Sequence, residues 1–140
     1  NASLALFKDN GVRNISKIVL AVRPGRQGNK FIRVADNICK YYGASLTLLN
    51  VISKDASKSQ ETKLHDSNKE LLRSFSREED SLVIKSNDVV GVISEVSASY
   101  DLLIIGSQEK SAWYNVLLGL KSDRFVKNSV CSVLRLTIDE

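Results

Sequence analysis

Apolar and polar residues alternate in blocks along this chain, and the block period switches repeatedly between strand-like and helix-like. Lys17–Val22, KIVLAV, is a continuous apolar run rich in β-branched residues, the pattern of a strand buried on both faces. Arg23-Pro24-Gly25-Arg26-Gln27-Gly28 halts it with the only proline of the chain, which lacks the N–H a ladder needs. From Asn29 the apolar positions recur at three- and four-residue steps: Phe31, Val34, Ala35, Ile38, Cys39 and Tyr42. That spacing predicts an amphipathic helix. Gly43 behind it suits the left-handed position that closes a helix.

A second strand is predicted over residues 44–52. Ser57 and Gln60 then stand in capping-box spacing before a helix running to about Ser76, with Leu64, Leu71, Leu72 and Phe75 on one face. Arg77-Glu78-Glu79-Asp80 is predicted as a solvated turn, and Ser81–Ile84 as a short third strand. Asn87-Asp88 can cap a third helix whose apolar face is Val89, Val92, Ile93, Val96 and Tyr100. Leu102–Ile105 is a fourth strand that stops at Gly106-Ser107. After a polar loop, a fourth helix follows from Gly119 to about Asn128, and Ser132–Leu136 is the fifth strand. Residues 3–15 show little periodicity and read as a lead-in. Strands alternating with helices imply a parallel α/β sheet of five strands, with helices on both faces.

Composition narrows the possibilities without selecting one. A chain of 140 residues with 43% apolar content fits one globular domain. No apolar run approaches the roughly 20 residues of a membrane span, and no secretory pattern opens the chain. Cys39 and Cys131 lie within apolar patterns, far apart, and read as buried thiols of a reducing, cytoplasmic compartment. The net charge of +4 favours anionic partners, but nothing beyond charge points to nucleic acid, and none is expected. A single histidine excludes a metal site built from histidines, and no catalytic order of side chains is visible, so an enzyme is not expected. Asn1-Ala2, with no methionine anywhere, reads as the remnant of an expression tag, with native sequence starting near Ser3.

Ligands of open α/β sheets sit outside the carboxyl ends of the strands, with anions near helix N-termini. Gly106 to Gly119 is therefore the candidate cradle. Arg23 and Arg26 flank the end of the first apolar strand, where guanidinium forks would meet phosphate. Trp113 and Tyr114 in the same cradle read as a plug for the sheet end or a dimer contact.

Together, KIVLAV, SLTLLNVI, YDLLIIGS, Gly119 with Asp123–Val126, and VCSVLRL resemble the universal stress protein domain from about Ser16 to Leu136. The resemblance implies a Rossmann-like sheet of the adenine nucleotide alpha hydrolase type, strand order 3-2-1-4-5, and homodimers formed through the last strand. It also implies an adenine nucleotide as the possible cofactor, and a context: such domains occur as cytoplasmic tails of membrane transporters, amino-acid permeases and cation antiporters among them. The nucleotide-binding branch carries Gly, two residues, Gly, nine residues, then Gly followed by Ser or Thr. Gly106, with Ser107 beside it, and Gly119 fit this pattern, and Val51 falls where the family lines its adenine pocket. Glu109 replaces the second glycine and Leu120 the hydroxyl residue. Arg23 stands where the family has an acidic residue.

A carboxylate near a polyphosphate costs about 1 kcal/mol at partly shielded distances. A lost hydroxyl contact to a charged group costs about 1.5–3 kcal/mol. The expectation is a non-catalytic regulatory domain with a degenerate ATP motif, acting by dimerisation or by docking within a larger transporter protein. The alternative is a nucleotide-binding stress protein that holds ATP, AMP or a cyclic dinucleotide at these residues.

Overall fold

A computed structural model describes residues 3–8, 14–22, 28–75, 79–107 and 131–138. In chain order the elements are β1 (Ser3–Lys8), β2 (Lys17–Val22), α1 (Gly28–Tyr42), β3 (Ser45–Ile52) and α2 (Lys58–Leu72). There follow β4 (Glu79–Lys85), α3 (Val89–Ser97), β5 (Leu102–Ser107) and β6 (Ser132–Ile138). The predicted fourth helix and the cradle loop lie outside the described residues.

Six strands form one sheet in the order β1-β6-β5-β2-β3-β4. β4, β3, β2, β5 and β6 are parallel, and they reproduce the expected 3-2-1-4-5 order. The continuous apolar runs have the burial that pattern demands: Ile18, Val19, Leu20, Leu103, Ile104 and Ile105 are fully buried. Alternate side chains feed two cores. Ile18, Leu20, Leu48 and Ile104 meet α1 and α2 on one face, while Val19, Leu49, Leu103 and Ile105 meet α3 on the other.

The local signals act as their chemistry predicts. Ser57 Oγ accepts from Gln60 N at 3.1 Å, and Gln60 Oε1 accepts from Ser57 N at 2.8 Å, a complete capping box. Asp88 caps α3 by accepting from Gly91 N at 3.1 Å. Gly43 has φ 68° behind α1, a conformation that favours glycine.

Three expectations are corrected. Ser3–Lys8, predicted as lead-in, is a strand, antiparallel to β6 from Ser3↔Ile138 to Lys8↔Val133. SLALFK stands outside the strand–helix alternation from which the other strands are read, and it pairs along the outer edge of β6. The outer edge of the last strand, where a second copy is expected, is therefore taken by β1. Glu79 and Asp80, predicted in a turn, belong to β4, since an edge strand tolerates exposed charge. Tyr42, predicted on the apolar face of α1, is exposed beside Tyr41, and Ile32 is buried instead.

Candidate ligand-binding site

A cleft of about 860 Å³ opens at the carboxyl end of β3, between α2 and the start of α3. Its size suits a small organic ligand. Val51, Ile52, Ala56, Leu64 and Val89 supply apolar wall, and Ser53, Gln60 and Ser67 supply hydroxyl and amide groups. Lys63 and Asp55 are the one cation and one anion among its described lining residues. This balance accepts a flat heterocycle with polar edges better than a cluster of charges.

The rim is held before any ligand arrives. Asn87 Oδ1 accepts from Lys54 N at 3.2 Å and from Ser53 Oγ at 3.4 Å. Lys85 Nζ donates to Ala56 O at 3.0 Å and pairs with Glu61 at 3.1 Å. The Lys85 hydrogen bond holds the Glu61 carboxyl below its ordinary range. These contacts link the end of β4 to the turn between β3 and α2, so the cleft wall is braced from two elements. Preformed walls reduce the ordering cost of binding.

Beneath the cleft lies a buried polar chain that the sequence patterns did not single out. Asn68 Nδ2 donates to Asn50 Oδ1 at 2.7 Å, and Asn50 Nδ2 donates to Val22 O at 3.1 Å. Both asparagines are 1% exposed. The chain fastens α2 to the last residue of β2 and to β3, where the carboxyl ends of the strands must hold position. Asn68 lies four residues from both Leu64 and Leu72, so helical spacing alone puts it on the buried face.

Val51 lines the cleft. Gly106, the next-to-last residue of β5, lies beside Val22 of β2 and Leu136 of β6. It is level with Asn50, the residue before Val51, and about 10 Å from it across β2 at ordinary strand spacing. Ser107 is the last residue of β5, and its hydroxyl lies outside what is described. Arg23, Arg26 and Gly119 lie outside the described residues, as do Glu109, Trp113, Tyr114 and Leu120. The structure thus brings Val51 and Gly106 to the same carboxyl end of the parallel strands.

At the opposite end of the strands a second uncharted residue acts. Asp101 Oδ2 accepts from Ser16 N at 2.9 Å, Ser16 Oγ at 3.0 Å and Lys17 N at 3.0 Å. It joins the start of β5 to the start of β2. Partial burial alone would raise its carboxyl, but the hydrogen bonds from Ser16 and Lys17 outweigh this and lower it.

The parallel order, the two helical layers and the cleft at the strand ends define an open, parallel α/β domain. The Universal stress protein family model matches residues 14–136, and the chain belongs to that family. Solved structures agree in fold. A universal stress protein from Archaeoglobus fulgidus aligns with a TM-score of 0.61 at 11% identity, covering 86% of this chain and 98% of its own. A universal stress protein in complex with cAMP aligns at 0.62 with 16% identity, covering 88% and 97%. The universal stress protein from Archaeoglobus fulgidus in complex with dAMP aligns at 0.56 with 12% identity, covering 89% and 99%. No curated protein sequence matches the chain. Among the described residues, no helix is long and apolar enough to cross a membrane.

Proposed function

We propose that this is a non-catalytic regulatory domain that binds an adenine nucleotide carrying a single phosphate in preference to ATP. Ligand occupancy would shift its self-association, or its docking inside a larger transporter chain of the kind the sequence resemblance implies. The observation that carries this reading is the mainly apolar cleft at Val51, with Lys63 as the one cation among its described lining residues. One ammonium group matches one phosphate and is a weak partner for three. Two structural relatives whose complexes hold cAMP and dAMP favour the same ligand class. Glu109 and Leu120, standing where ATP-binding members carry glycine and a hydroxyl, weigh against ATP.

Calorimetric titration with AMP, cAMP and ATP tests the reading. AMP or cAMP should bind at least ten-fold more tightly than ATP, and Lys63→Glu should weaken binding ten-fold or more without changing the fold. Glu109→Gly combined with Leu120→Ser should restore ATP binding. Absence of binding by every adenine nucleotide at millimolar concentration, or ATP binding tighter than AMP, overturns the proposal.

A further inference from the structure

The two edges of the sheet differ. One is filled from within, because β1 pairs with β6 over Ser3–Lys8. The other is β4, which has β3 as its neighbour on one side and no strand on the other among the described residues. β4 reads Glu79-Asp80-Ser81-Leu82-Val83-Ile84-Lys85.

We propose that β4 pairs with β4 of a second copy of this chain, antiparallel and centred on Leu82, joining two sheets into one. The backbone supplies the hydrogen bonds. Ser86 N donates to Ile52 O at 2.8 Å, and Lys85 stands opposite Ile52 in the ladder. Residues 80, 82 and 84 therefore turn their amide groups to β3, and 79, 81, 83 and 85 turn theirs outward. In a two-fold antiparallel pair about Leu82, Ser81 exchanges hydrogen bonds with Val83 of the second copy, and Glu79 with Lys85. Leu82 meets its own symmetry mate in a pair without hydrogen bonds, where side chains approach most closely.

The side chains fit the same operator. Glu79 falls opposite Lys85, Asp80 opposite Ile84 and Ser81 opposite Val83, so no like charges face each other. Leu82 is 36% exposed and is one of three large apolar side chains left exposed among the described residues. The pairing would cover it at the centre of the contact. Charges near both ends of a strand usually discourage pairing with arbitrary edges. Here their opposite signs select a copy of the same strand in one orientation, an isologous contact that closes after two chains.

Leu82→Cys tests the geometry, because it places two thiols across the two-fold axis while Cys39 and Cys131 are buried. Under mild oxidation Leu82→Cys should give a covalent dimer, and Ser81→Cys, out of register with itself, should give several-fold less. Sedimentation of the parent should show a concentration-dependent species of twice the 15.5 kDa chain mass. Leu82→Lys should weaken that species ten-fold or more while melting as the parent does. Glu79→Lys, which sets lysine against Lys85, should weaken it several-fold. A parent that stays monomeric to millimolar concentration overturns the proposal. So does a dimer that survives Leu82→Lys unchanged, or equal crosslinking by the two cysteine variants.

Discussion

Gly106 lies directly beneath the ring of Phe31. A Cβ on Gly106 would come within 2.8 Å of two ring carbons and 3.0 Å of a third. Phe31 is 4% exposed and belongs to the core between α1 and the sheet, so the ring has little room to yield. The glycine that opens the phosphate-loop pattern is thus demanded by packing, whether or not phosphate ever binds. Its presence in the sequence is evidence for the fold and carries no separate weight for ATP.

Gly106→Ala should therefore destabilise the domain by about 1–3 kcal/mol, the ordinary cost of overpacking a core. Phe31→Leu in the same chain should recover part of that loss, since the two positions share one space. Urea midpoints of the four proteins in this cycle give the coupling. Additive effects would mean that the ring is not what the alanine meets.

Asp101 makes stability depend on acid in a defined direction. Its carboxyl is held below the ordinary value of 3.8, so the charged form is the one the folded state favours. The contribution is fully present above the unfolded value and is lost as the pH falls through the lower folded value. Asp101→Asn should be less stable than the parent at pH 7, and the gap should close as the pH drops below about 4. Urea denaturation at pH 7 and pH 3 measures it. A gap that stays constant would show that the bonds to Ser16 and Lys17 do not distinguish charge.

How much of this was legible in the sequence depends on whether the signal was local. KIVLAV, the Ser57–Gln60 box, Asp88 and Gly43 each act through neighbours within a few residues, and each could be read directly. Val51 was singled out by family pattern alone, while the cleft it lines is formed with α2 residues such as Lys63 that no local pattern marked. β1 could not be read, because SLALFK becomes a strand only against β6, about 130 residues later in the chain. Glu79 and Asp80 misled for a related reason. Charge argues against a strand only where the strand is covered, and β4 is an edge. Asp101 and the Asn50–Asn68 pair bind partners 18 to 85 residues away, and no periodicity reports such distances.

The capping box should behave as an independent local unit. Ser57→Ala removes the acceptor for Gln60 N and leaves only the backbone N–H of residue 57 donating to Gln60 Oε1, and should cost about 1 kcal/mol. Because Gln60 and Ala56 line the cleft, the same variant should also loosen its rim and weaken nucleotide binding several-fold. Thermal unfolding and titration on one preparation separate the two effects. Unchanged affinity with lowered stability would show that the rim is held by Lys85 and Asn87 alone.

The Asn50–Asn68 pair gives the sharpest contrast between removing one partner and removing both. Asn68→Ala leaves Asn50 Oδ1 buried without its 2.7 Å donor, which should cost about 1–3 kcal/mol in addition to the volume lost. Asn50→Leu with Asn68→Leu takes away both groups, so no amide from this pair is left stranded, though Val22 O loses its donor. The double variant should consequently be more stable than Asn68→Ala, despite carrying more changes, because an unpaired buried amide costs more than an absent one. If the double variant is the less stable of the two, the bond to Val22 O is the dominant contribution. The polar chain would then serve chiefly to fix the end of β2.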